Sequence, residues 1–79
     1  MDKTKQTLFI KTIIAEESLK HCLVSEGEGF EAYLKRENYE NLLDLIEQAG
    51  WYEEYRSFKI MAALYFANRQ EYKQLPTAV

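Results

Sequence analysis

Apolar positions return at steps of three and four in three stretches of the chain, and glycine-bearing breaks separate them. That period gathers side chains on one face of an α-helix, whereas a half-buried strand alternates at every second residue. In the first stretch, about 3–24, Leu8, Phe9, Ile10, Ile13, Ile14, Leu19, Cys22 and Leu23 share one broad face. A strand over Thr7–Ile14 competes with this reading, because Thr, Phe and Ile are strand formers, but its apolar residues come in pairs and no second run exists to pair with it. Ser25-Glu26-Gly27-Glu28-Gly29 ends the helix: two glycines within three residues are costly inside it and readily supply a left-handed cap.

The pattern restarts over about 30–49 with Phe30, Tyr33, Leu34, Tyr39, Leu42, Leu43, Ile46 and Ala49. Asn38 sits at a joint where its side chain would cap a new first turn, so this stretch is either one helix or two. Gly50 follows the last apolar position as a C-cap, and a third helix of about 51–73 opens at Trp51. There Trp51, Tyr55, Phe58, Ala62, Tyr65 and Tyr72 form one stripe, and Ile60, Met61, Ala63, Leu64 and Ala67 fill the adjoining one. A helix apolar around so much of its circumference is expected at the centre of the fold. Pro76 forbids further regular helix, leaving a loose tail to Val79. The predicted architecture is all-α: a compact bundle of three helices, or four if the middle one breaks near Asn38, in a single domain spanning 1–79.

Length and composition narrow the classes. At 79 residues the chain is close to the lower limit for independent folding, and few residues can be spared from the core to build a deep active-site pocket. Eleven aromatics beside three Gly and one Pro exclude a disordered tail. The single cysteine, Cys22, cannot close an intramolecular disulfide, which fits a cytoplasmic protein. Lys11 interrupts the apolar run at 8–15 and Glu16 and Glu17 follow it, so no export signal is expected, and no run approaches the ~20 residues a spanning helix needs.

The net charge of −3 hides a strong asymmetry: residues 1–25 carry +1, residues 26–54 carry −7 and residues 55–79 carry +3. An acidic centre repels phosphates, which disfavours nucleic acid as a partner. A helix-turn-helix around Gly50 would have to read bases with Trp51-Tyr52-Glu53-Glu54, and carboxylates and bulky rings suit that task poorly. Gly50, Ala62 and Phe66 are spaced in a way that resembles a tetratricopeptide-type hairpin, but Ile46, Arg69 and Gln74 occupy its tryptophan, small-residue and proline positions, and there is no second copy.

No enzyme signature stands out. His21 and Cys22 point about 100° apart on a helix and cannot converge on one metal ion, and Cys22 reads best as a small core residue. The carboxylate pairs Glu16 and Glu17, Asp44 and Glu47, and Glu53 and Glu54 read as solvated surface, and no cofactor or metal site is expected. What remains is the aromatic content. A bundle this small cannot bury eleven rings, so the expectation is a protein-binding patch of Tyr39, Trp51, Tyr52, Glu53, Glu54 and Tyr55, rings with an acidic rim. The function class that follows is a non-enzymatic interaction module, an acidic adaptor or inhibitor that binds a larger protein with a basic surface. One version is a phage- or mobile-element-type inhibitor blocking a basic nucleic-acid-binding surface. A homodimer is a second partner the same rings would accept. The alternative is a small dimeric DNA-binding transcription regulator working through the basic C-terminal helix.

Overall fold

The computed structural model describes residues 2–74 along the backbone and side chains as far as Tyr65. It is an all-α bundle of three helices: α1 Lys3–Ser25, α2 Phe30–Gln48 and α3 Tyr52–Gln74. The tail expected from Pro76, and the outer ring Tyr72, lie outside what is described.

Local chemistry sets the boundaries. The Asp2 carboxylate accepts from the Thr4 amide at 3.3 Å and caps α1. Gly27 ends that helix at φ 75°, its amide donating to the Leu23 carbonyl at 3.1 Å. α2 runs through Asn38 without a break, so of the two versions the sequence allows, one continuous helix forms. It closes at Gly50, again at φ 75°, in a Schellman turn: the Gly50 amide donates to Glu47 and the Trp51 amide to Ile46, both at 3.0 Å. That turn reverses the chain and sets Trp51 against the body of the bundle.

α1 and α2 lie antiparallel and form the principal pair. Toward one end, Phe9, Ile46 and Tyr55 are buried with Leu8, Ile13, Leu43, Trp51 and Phe58 around them. Phe9 is the centre of this cluster. Its ring meets Trp51 (6.4 Å), Tyr55 (5.5 Å) and Phe58 (5.5 Å), the first two edge to face. Toward the other end, Leu19, Cys22 and Ala32 are buried with Leu23 and Tyr39, and the small Ala32 side chain lets the two helices approach. Between the clusters Thr12 is fully buried, its hydroxyl satisfied by the Leu8 carbonyl at 2.7 Å.

The place of α3 differs from expectation. The sequence puts this helix at the centre; the structure makes the α1–α2 pair the body of the bundle, and the described contacts of α3 with it gather in its first turns. Trp51, Tyr55 and Phe58 pack as their spacing predicts, but Ile60, Met61 and Leu64 face solvent. A helix apolar on several faces needs neighbours on each, and a chain this short has only two other helices to offer.

Candidate functional site

Three helices contribute to one polar node. Glu16 on α1, mostly buried, forms an ion pair with Lys59 of α3 (2.5 Å) and accepts a hydrogen bond from the Tyr39 hydroxyl of α2 at 3.1 Å. Burial pushes the Glu16 carboxyl up, but the hydrogen bond and charge of Lys59, with Tyr39 and Lys20, outweigh it and hold the group below its ordinary value. Tyr39 is pushed up to about 12, first by burial and then by the Glu16 charge, its hydrogen bond to Glu16 and nearby Tyr52. Tyr55 is raised further by burial and by the Glu16 charge, with Tyr39 and Tyr52 adding to it. Its hydroxyl is buried and finds no hydrogen-bond partner among the described residues. Every displacement in this node runs away from neutrality, the wrong direction for a general acid or base working near pH 7. Glu16 corrects the expectation that all the paired carboxylates are solvated: it is drawn inward while Glu17 stays exposed.

The residues predicted as one binding patch take different roles. Tyr55, 2% exposed, belongs to the core and cannot serve as a surface anchor. Tyr39 is half-buried and engaged with Glu16. Trp51 is half-buried against Phe9, with the Lys5 ammonium 4.8 Å from its ring centroid, and Lys5 also pairs with Glu54 at 2.8 Å. Tyr52, Glu53 and Glu54 remain exposed, Glu53 within 3.9 Å of Arg56. The structure therefore splits the set into core residues and a thin acidic edge at the start of α3.

An exposed aromatic patch stands elsewhere. Phe30 (75% exposed) and Tyr33 stack at 6.4 Å with planes 18° apart, and Leu34 is exposed beside them on the same first turns of α2. Glu31 and Glu37 are exposed on these turns, and Glu40, Asp44 and Glu47 continue along the helix. The two α2 cations are already engaged: Lys35 donates to the Ser18 hydroxyl at 2.8 Å, and Arg36 pairs with Glu28 at 2.8 Å. The Arg36 hydrogen bond and charge hold the Glu28 carboxyl below its ordinary value. Carboxylates therefore dominate the outer face of α2.

A signal for this patch is present in the chain. Counting back from Ile46 by helical steps gives Leu43, Tyr39, Arg36 and Ala32, the face that meets α1, and leaves Phe30, Tyr33 and Leu34 on the other side. Apolar content alone conceals that choice.

His21 is exposed and Cys22 buried, and no group of three or more metal-ligating side chains occurs among the described residues. No described helix is long and apolar enough to cross a membrane. Comparison with protein-family models, with curated proteins and with solved structures finds no match to this chain.

Proposed function

We propose that this chain is a non-enzymatic interaction module that binds a basic surface on a larger protein through the outer face of α2. One observation carries the reading: the stacked Phe30–Tyr33 pair is exposed with Leu34 amid exposed carboxylates, while both cations of the same helix are tied to other groups. Rings exposed with one apolar face and one polar edge are favoured anchors, and the surrounding carboxylates select lysine- and arginine-rich partners and speed encounter with them. A target that fits this chemistry is a basic nucleic-acid-binding channel, where the α2 carboxylates would take the places of phosphates. An adaptor or inhibitor is the activity such a surface supports.

Affinity capture from the native host, with wild-type chain and the double variant Phe30→Ser/Tyr33→Ser in parallel, tests the reading. Expected are proteins rich in Lys and Arg that the wild type retains, the variant loses and moderate salt releases. The same set retained by both would sink it. A Glu53→Lys/Glu54→Lys variant run alongside asks whether the acidic start of α3 contributes to the same contact. Retardation of duplex DNA at low salt and micromolar protein would instead favour a DNA-binding regulator.

A further inference from the structure

We infer that the groove between the start of α1 and the end of α2 is the docking site for an acidic amphipathic helix of a partner protein, one that carries two carboxylates two turns apart with apolar side chains between them. Every lysine and arginine whose side chain is described is engaged, but for two: Lys5 pairs with Glu54, Lys20 with Glu17, Arg36 with Glu28, Arg56 with Glu53 and Lys59 with Glu16, and Lys35 donates to Ser18. The two left over, Lys3 and Lys11, are exposed and line the same groove of ≈ 470 Å³. Thr7 stands between them, and the three follow at steps of four along α1, so they form one row. Lys5 and Phe9, which meet α3, lie on the opposite face of α1. Beside the row the groove is apolar, lined by Leu8 and by Leu42 and Leu45 of α2, and Leu45 is 52% exposed. No carboxylate is among the described residues that line it, although the chain as a whole is acidic. The carboxylates adjoining it in sequence, Asp2 and Asp44, pair with neither lysine, and Asp2 caps the Thr4 amide.

Charge and spacing select the occupant. The rise of a helix sets Lys3 and Lys11 about 12 Å apart along the axis of α1. On a partner helix, residues seven apart lie on one face about 10.5 Å from each other, and the third and fourth residues after the first share that face. A Glu-x-x-Leu-Leu-x-x-Glu segment therefore brings one carboxylate to each lysine and sets its leucines against Leu8, Leu42 and Leu45. A basic or neutral helix would leave both ammonium groups unpaired, and a small anion would leave the leucines uncovered. This groove lies at the other end of α2 from Phe30, Tyr33 and Leu34 and has the opposite charge. The chain thus offers one surface to a basic partner and another to an acidic one, and the two are independent.

Nuclear magnetic resonance of the isotope-labelled full chain reads the result, with a capped, alanine-rich peptide of about 15 residues carrying this segment as the probe, long enough to hold helix. Saturable binding is expected, with the amides of Thr7, Lys11, Leu42 and Leu45 shifting and added salt weakening the contact. The same peptide with Gln for both Glu should bind at least tenfold more weakly. Lys3→Glu/Lys11→Glu should lose the glutamate peptide to a similar degree and gain one with Lys in place of Glu, a swap that only a folded groove can show. Leu45→Ser should weaken binding of the glutamate peptide as well. No saturable binding, equal affinity for the Gln peptide, or indifference to Lys3→Glu/Lys11→Glu overturns the inference. Shifts in the groove that arise only with anionic vesicles or with rising protein concentration also overturn it, because they assign the groove to another occupant. Phe30→Ser/Tyr33→Ser should leave peptide binding intact, which separates failure here from failure of the α2 reading.

Discussion

Tyr39 and Tyr55 carry the same phenol, but the node at Glu16 gives their hydroxyls opposite consequences. Tyr39 donates to a carboxylate, whereas Tyr55 buries its hydroxyl without a partner among the described residues. A buried polar group left unpaired costs about 1–3 kcal/mol, and a made hydrogen bond contributes about 1 kcal/mol net. Tyr55→Phe should therefore raise stability by about 1 kcal/mol, while Tyr39→Phe should lower it by about as much, both read from urea unfolding. The pH dependence follows from the same pair. Tyr39 ionises near 10 when unfolded but only at about 12 when folded, and Tyr55 is displaced in the same direction. The unfolded chain releases these protons first, so stability is intact below pH 10 and falls as pH rises toward 12. In the Tyr39→Phe/Tyr55→Phe double variant that alkaline slope should flatten; an unchanged slope would show that other groups produce it. Glu16 acts with the opposite sign: its carboxyl is held below 4.5, so its contribution is present above that pH and is lost as acid protonates the folded form.

Among the elements, the two glycine turns and one weak cap decide where helices begin and end. Gly50 holds φ at 75° with open space around its Cα. Gly50→Ala meets no neighbouring atom there, and its cost is the left-handed backbone alone, about 1 kcal/mol. Gly29 is different. It starts α2 in an extended conformation, φ −174°, and offers no side chain to the first-turn amides. Gly29→Ser supplies the missing acceptor and should stabilise by a few tenths of a kcal/mol. Thermal melts of the two variants should thus move in opposite directions; a fall for both would mean that Gly29 serves more than the helix start. Helical identity was readable from the chain, because the three-and-four spacing and the breaks at Gly27–Gly29 and Gly50 permit three helices, or four with a joint at Asn38. Rotation of each helix about its axis was not. On α1 the buried set includes Thr12 and Ala15 while Ile10 and Ile14 are outside, and on α2 Ala32 is inside while Phe30 is outside. Where helices approach closely, small residues displace large ones from the contact, so hydrophobicity alone misassigns the inner face.

At the scale of the molecule, the described contacts of α3 gather in its first turns. Its first turns are held by the ring contacts of Phe9, by Lys5 across Trp51 and Glu54, and by the Glu16–Lys59 pair; beyond Lys59 the described side chains are mostly exposed. Amide hydrogen exchange should therefore be slowest around Phe9, Thr12 and Ile46 and faster from Ile60 to Tyr65, where the side chains are mostly exposed. Equal protection of the two segments would contradict this division. The candidate site shows the same division. That rings and carboxylates would remain outside was legible, since eleven aromatics exceed what so small a core can hide, but the set from Tyr39 to Tyr55 was not the set left exposed. The amino-acid order by itself determined an all-helical chain, the helix ends at Gly27 and Gly50, the role of Cys22 as core and the acidic middle, because each depends on local backbone chemistry or composition; whether the middle stretch is one helix or two it left open. Only the tertiary structure decided that α1 and α2, rather than α3, form the principal pair, that Glu16 turns inward, and that Phe30 and Tyr33 form the open ring pair. Those outcomes depend on which helix faces meet, a choice made by packing between residues far apart in the chain.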